Sequence, residues 1–234
     1  MTAVTDMGIH AEPKTRTDTC ATHGPFEAKC FIGSIWSKCP TCGAEAAAKE
    51  KAEREAKERD DRRQAWQRRI GEAGIPERFQ NRSLQSFVAE TEAQAAALQF
   101  ATAYADDFDD ALATGRSALF IGRPGTGKTH LAVGIGLRIM HRDSRTVLFT
   151  TVMRAIRRVK DTWSRESRES ETQAIAALVF PDLLILDEIG VQFGSDTERL
   201  ILFDVLNERY EKRRPTLLLS NLNIDEVKAY LGER

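Results

Sequence analysis

Residues 122–129 read Gly122-Arg123-Pro124-Gly125-Thr126-Gly127-Lys128-Thr129, a match to G-x-x-x-x-G-K-[ST]. An apolar run, Ala118-Leu119-Phe120-Ile121, precedes them, and an apolar segment, Leu131-Ala132-Val133-Gly134-Ile135, follows. Strand, glycine-rich loop, helix is the order in which this pattern forms a phosphate-binding loop. The glycines permit a tight turn, so that several backbone N–H groups converge on the N-terminus of the next helix. Unpaired amides and the helix dipole favour an anion there. Lys128 is then expected to reach the β- and γ-phosphates of ATP, and Thr129 to ligate Mg2+ through its hydroxyl. The candidate nucleotide contacts run from Gly122, Arg123, Pro124, Gly125, Thr126 and Gly127 through Lys128 and Thr129 to His130.

Such a loop requires an acid, at the end of a buried strand, to complete the magnesium shell. Leu183-Leu184-Ile185-Leu186-Asp187-Glu188 fits. Four consecutive aliphatic residues suit a strand covered on both faces, as in a parallel sheet. Asp187 falls at the carboxyl end, where open α/β sheets place their ligands. Glu188 beside it is a candidate base for a water attacking the γ-phosphate. Taken alone, an acidic pair after an apolar run is also an ordinary strand-end turn. A third strand, Thr216-Leu217-Leu218-Leu219-Ser220, ends at Asn221. That amide could orient the water or touch the γ-phosphate, or serve only as a turn residue. What distinguishes the set is its order along the chain.

Composition bounds the remainder. With 234 residues and 41% apolar content, the chain has room for one substantial domain and a small module. No stretch approaches a membrane-spanning helix, and the first residues lack a basic-then-apolar signal, so a cytoplasmic protein without membrane contact is expected. The 34 basic and 35 acidic residues leave a net charge of -1, which does not indicate a global attraction to nucleic acid. DNA binding would need a local patch.

All four cysteines lie within the first 42 residues. Cys20-x-x-His23 and Cys39-x-x-Cys42 are two close pairs with the spacing of a tetrahedral Cys3His zinc site, and thiolates favour zinc over magnesium. Cys30 is the spare, either an alternative ligand or an inert thiol. Free cysteines that merely lie close together are the competing account. Gly24, Phe26, Ile35 and Trp36 would supply the turn and the few apolar contacts of a zinc knuckle over 20–44, after an N-terminus (1–19) expected to be disordered. From 45 to 73 a charged run carries acid-to-base pairs four apart: Glu45–Lys49, Glu50–Arg54, Glu53–Lys57, Glu55–Arg59 and Glu58–Arg62. That spacing supports a solvated linking helix.

Gly71 and Gly74-Ile75-Pro76 mark a boundary. From 74 to 234 the pattern alternates: a helix near Glu92–Phe108, the Leu119 strand, the loop and its helix, and a strand at Thr146–Thr150. A helix from Val152 to about Trp163, the Asp187 strand, a helix from Asp196 to about Arg213, the Asn221 strand and a last helix, Ile224–Leu231, complete it. Four parallel strands with crossover helices make an α/β doubly wound sheet. Within it, Arg154, Arg157, Arg158, Lys160 and Trp163 put cations and a ring on one helix, a combination that holds single-stranded DNA. Met153, Ile156, Val159 and Trp163 equally describe a core-facing stripe on that helix.

GRPGTGKTH, LLILDEIG and TLLLSN occur here in the order and spacing of AAA+ ATPases, and the chain resembles replicative helicase loaders of the DnaC type. CATHG with the downstream W-x-x-CPTC is similar to the zinc knuckle of phage and prophage loaders. IPERFQNRSLQSF is similar to the segment that leads into their ATPase domain and flanks the nucleotide base. The resemblance runs from Cys20 to Arg234. It implies ATP, Mg2+ and Zn2+ as cofactors, with Lys128 and Thr129 on phosphate and magnesium, Asp187 the magnesium acid, Glu188 the base and Asn221 the γ-phosphate sensor. It also implies a replicative hexameric DNA helicase and single-stranded DNA as partners, DNA contact at Arg154–Trp163, and self-association through the ATPase domain. Loaders continue past the LGER segment into a helix with a trans-acting arginine finger and a fifth strand. The chain is therefore expected to leave the Leu119 strand at an edge and to turn ATP over weakly. Two other functions fit less of the chain: a transposition helper ATPase, which is not expected to carry the knuckle, and a zinc adaptor with a decayed ATP site.

Overall fold

The computed structural model describes residues 14–32, 35–143, 145–190 and 195–231, in two compact units, Met1–Ala65 and Trp66–Arg234. In the first unit, β1 (Lys14–Cys20) and β2 (Gly24–Ile32) form an antiparallel hairpin joined by a turn in which Gly24 has φ 76°. A short β3 (Ile35–Trp36) pairs with β2. Lys14–Cys20 is thus a strand, where a disordered N-terminus had been expected to reach residue 19; residues 1–13 lie outside the described residues. Among the described residues, Ala28, Cys30 and Cys39 form the buried apolar interior of this unit.

Helix α1 (Pro40–Glu72) begins five residues before the expected 45, because Pro40 suits the first helical position. Cys42 therefore stands on the first turn of α1. The helix's ion pairs also differ from the expected set. Lys49–Glu53, Lys51–Glu55 and Arg54–Glu58 are joined, base before acid, each at 3.9 Å. Glu53, Glu55 and Glu58 each have a base four residues away on both sides, and Glu45 is instead held by His23.

In the second unit, Thr91 and Gln94 form a capping box that starts α2 (Glu92–Asp106). The single helix expected over 92–108 breaks at Asp107, whose φ of -108° and ψ of 33° are not helical, and α3 (Phe108–Thr114) follows with Phe108 fully buried. Then come β4 (Ala118–Ile121), α4 (Lys128–Asp143), β5 (Val147–Thr151) and α5 (Val152–Asp161). The remaining elements are α6 (Glu171–Val179), β6 (Leu183–Ile189), α7 (Asp196–Glu211), β7 (Thr216–Ser220) and α8 (Ile224–Leu231). Helix α6 was not read from the sequence, although Ser170 and Gln173 form a capping box that marks its start.

The strands are parallel in the order β4-β7-β6-β5. Alternation along β6 sends Leu183 and Ile185 into a core with α2, α3 and α4, and Leu184 and Leu186 into a second core with α5, α6, α7 and α8. Both faces are covered, which explains the unbroken aliphatic run. Among the described residues β4 pairs only with β7 and so lies at the sheet edge. Buried Arg209 of α7 ties the layers together. It donates to the carbonyls of Leu178, Val179, Pro181 and Pro215 and to Thr216 Oγ1, joining the end of α6 to the start of β7. Among the described residues no helix is long and apolar enough to cross a membrane.

Candidate nucleotide site and metal cluster

The loop between β4 and α4 has Gly125 at φ 83° and Gly127 at φ 92°, conformations that glycine adopts without strain. Lys128 begins α4 and curls back over the loop. Its Nζ donates to the carbonyls of Gly122 (2.7 Å) and Arg123 (3.0 Å) and to Asn221 Oδ1 (2.8 Å). Burial lowers the Lys128 pKa, and the charge of Asp187 offsets part of that shift. Arg123 and Pro124 are exposed at the loop tip. Thr126 Oγ1 donates to the Arg123 carbonyl at 2.9 Å, closing the turn.

Strand alternation brings the distant residues to this loop. Asp187 shares the face of Leu183 and Ile185, the face covered by α4, and accepts from Thr129 Oγ1 at 2.9 Å. Asn221 continues the face of Leu217 and Leu219 and so meets Lys128. Between Leu186 and Ile189 the register of β6 against β7 slips, a bulge of the kind that re-aims side chains beside active sites. Glu188 sits on that bulge, exposed, with φ 65°. A left-handed backbone costs a non-glycine residue roughly 1–2 kcal/mol. The Glu188 N–H donates to Asp187 Oδ1 (2.7 Å), and Ser220 Oγ donates to the Ile189 carbonyl (2.6 Å), locking the two strand ends.

His130, grouped on sequence with the nucleotide contacts, faces elsewhere. Its Nε2 meets the Ser83 carbonyl at 2.9 Å, and its ring meets Phe87 edge-on at 5.1 Å. The segment Ser83–Gln94 reaches the loop as well, through Gln94 Nε2 donating to the Thr126 carbonyl at 3.4 Å.

In the first unit the ligand atoms of Cys20, His23, Cys39 and Cys42 lie within 4.8 Å of one another. Cys20 Sγ is 3.4 Å from Cys42 Sγ, and His23 Nδ1 is 3.2 Å from Cys42 Sγ and 3.7 Å from Cys39 Sγ. Tetrahedral zinc with bonds of about 2.3 Å to sulfur separates two sulfurs by about 3.8 Å, so the cluster has the dimensions to hold the ion. Three soft sulfurs and one imidazole suit zinc. His23 Nε2 meets Glu45 Oε1 at 3.1 Å, the carboxylate partner that fixes the tautomer of a ligating histidine. The backbone amides of Thr22 and His23 lower the Cys20 thiol to about 6, and its contact with Cys20 raises Cys42 to about 11. Cys30 is buried and outside the cluster.

The basic helix divides. Val152, Ala155, Ile156 and Val159 make its buried stripe, whereas Trp163 is 50% exposed and does not join it. Arg158 pairs with Glu169 (2.6 Å), Lys160 with Glu198 (2.9 Å), and Trp163 Nε1 donates to Glu171 (2.7 Å). Arg154 and Arg157 are exposed, and among the described residues neither side chain makes an ion pair.

A glycine-rich loop, an acid and a strand-end amide gathered at the carboxyl ends of a parallel sheet are the arrangement of a P-loop ATPase of the AAA+ type. The chain belongs to the family of IstB-like ATP-binding proteins, whose model matches residues 42–234. The replicative helicase loader DnaC of Escherichia coli (strain K12) is 40% identical over 179 residues, 76% of this chain and 71% of that protein. DnaC of Buchnera aphidicola (subsp. Schizaphis graminum) is 37% identical over 177 residues, 75% of this chain and 70% of that protein. A crystal structure of the DnaC helicase loader aligns with a TM-score of 0.61 at 23% identity, covering 68% of this chain and 91% of that one, which shows the shared fold.

Proposed function

We propose that this protein is an ATP-controlled helicase loader, acting in the cytoplasm to deliver a replicative hexameric DNA helicase to single-stranded DNA. The observation that carries the proposal is the 2.9 Å contact between Thr129 Oγ1 and Asp187 Oδ2, beside Lys128. It supports a single site at which ATP and Mg2+ are held, and the identity to loaders supports the use made of it. Lys128 and the loop amides hold the phosphates; Thr129 and Asp187 would hold magnesium, which when bound offsets the phosphate charge. Glu188, at the mouth of the site, takes the proton of the attacking water, and Asn221 senses the γ-phosphate through its contact with Lys128. The Cys20, His23, Cys39 and Cys42 cluster is a structural zinc site. Arg154 and Arg157 are the DNA contacts; Arg158, Lys160 and Trp163, each tied to a glutamate, shape the helix that presents them. The apolar side chains of Leu200, Phe203 and Tyr210 on exposed positions of α7 support self-association of the ATPase domain.

The test is co-purification with a hexameric replicative helicase, with and without ATP, using the wild type and Lys128→Ala. Retention of helicase that changes with nucleotide only in the wild type is the expected result. No retention under any condition, or capture of a transposase instead, would overturn the loader reading. Nucleotide binding that survives Lys128→Ala unchanged would overturn the ATP site itself.

A further inference from the structure

Three residues spaced along one face of α4 and its leading loop receive the segment that precedes α2. Gly127, His130 and Gly134 follow one another at i, i+3 and i+7, so they share a face. An added Cβ at Gly127 would collide with the Phe87 ring, and one at Gly134 would lie 2.8 Å from Leu84 Cδ2. Between the two glycines, the His130 imidazole reaches Ser83. A carbonyl only accepts, so His130 donates from Nε2 to the Ser83 oxygen at 2.9 Å. Ser86 Oγ stands 3.3 Å from the same nitrogen. The recipient turn is itself rigid, because Ser83 and Ser86 exchange side-chain-to-amide hydrogen bonds at 3.0 and 3.1 Å. Its neighbour Phe87 packs edge-on to the His130 ring, with the centroids 5.1 Å apart.

The consequence falls on the phosphate loop. Phe87 covers Gly127 from outside, and Gln94 holds the Thr126 carbonyl at 3.4 Å. The peptide between Thr126 and Gly127 is therefore fixed on its outer side, while its inner side is the part of the loop that faces an anion. Gly127 holds φ 92°, which a free glycine loop would share with many alternatives. Ordering those amides only when the phosphates arrive would weaken binding, and setting them beforehand removes that cost.

We propose that His130 is a positioning residue: through Ser83 and Phe87 it braces the outer side of the phosphate loop and sets its amides before nucleotide binds. This rests on the reading of residues 122–129 as the nucleotide site. It gives His130 a role distinct from contact with the nucleotide. The brace acts on the phosphate cradle, so its loss weakens ATP and inorganic tripolyphosphate alike. A residue touching the base would affect ATP and spare tripolyphosphate.

The experiment measures displacement of a fluorescent ATP analogue from the full chain by ATP and by tripolyphosphate, both with Mg2+. Wild type, His130→Ala, His130→Gln and Phe87→Leu are compared, with circular dichroism confirming that each is folded. His130→Ala is expected to weaken both ligands about tenfold, the combined worth of one hydrogen bond and one aromatic contact. A glutamine can donate from a similar position, so His130→Gln should recover to within about threefold of wild type. Phe87→Leu, which leaves the backbone turn intact, should weaken both ligands together. Equal affinities in wild type and His130→Ala would overturn the brace, as would a loss confined to ATP or no recovery in His130→Gln. Failure of the wild type to bind the analogue would instead overturn the nucleotide-site reading beneath it.

Discussion

The two compact units solve the problem of staying folded by opposite means. The Trp66–Arg234 unit buries both faces of a parallel sheet, and Leu183, Leu184, Ile185 and Leu186 are each no more than 1% exposed. The Met1–Ala65 unit has a hairpin, one short strand and a solvated helix, with Ala28, Cys30 and Cys39 as its buried apolar residues among those described. A core of that size cannot offset the entropy of ordering the strands around it. In the ATPase unit the candidate site is built upon a finished core. In the smaller unit the four ligand atoms stand where a core would be.

The largest effect should therefore come from removing the metal. Chelation, or Cys39→Ser, is expected to collapse the hairpin around Cys20 and His23 while the sheet persists, since structural zinc supplies folding free energy directly. Amide spectra read this residue by residue: signals from 14–32 should lose dispersion, and those from β4 to β7 should keep it. One zinc per chain should be released in parallel. A hairpin that keeps its dispersion with the metal gone would erase the contrast between the units.

The same contrast predicts where the ATPase unit is vulnerable. Arg209→Met should cost about 3–5 kcal/mol in urea unfolding, because it strands the carbonyls of Leu178, Val179, Pro181 and Pro215 inside the core. Lys128→Ala should do the reverse. It removes a half-buried side chain from a site open to solvent, so stability should stay within about 1 kcal/mol while nucleotide affinity falls about a hundredfold, or about 2.7 kcal/mol. If Lys128→Ala unfolded the domain and Arg209→Met did not, the site would be part of the core.

Both residue clusters could be read from the sequence because ligands of these kinds would need that spacing. A loop such as Gly122 to Thr129 has to be able to close around an anion, and a C-x-x-[CH] pair has to be able to present two donors to one ion. The strand ends at Asp187 and Asn221 could be read for a related reason, since an aliphatic run buried on both faces announces where it stops. What packing decides was not legible. Arg209 looks like any surface arginine near the end of a helix, and only the meeting of α6 with β7 gives it partners. His130 sits beside the motif in sequence, yet its direction depends on Ser83 and Phe87, more than forty positions earlier. On the basic helix, Arg158, Lys160 and Trp163 have nearby carboxylates that spacing does not reveal.

The smallest effect concerns the helix that begins in the Met1–Ala65 unit. The 3.9 Å pair between Lys49 and Glu53 joins side chains 79% and 69% exposed, and its neighbours in α1 are similar. Such pairs are worth at most about 0.5 kcal/mol each and are screened by salt. A double-mutant cycle with Lys49→Gln and Glu53→Gln, read by hydrogen exchange of amides 49–57, should give a coupling below that value. The alanines at 46–48, 52 and 56 carry high intrinsic helix propensity, and the charged residues between them are also good helix formers. Raising the salt concentration should therefore leave protection of these amides nearly unchanged. A large coupling, or fraying in high salt, would mean that α1 depends on its charges, and the first unit would then have a source of order besides the proposed metal site.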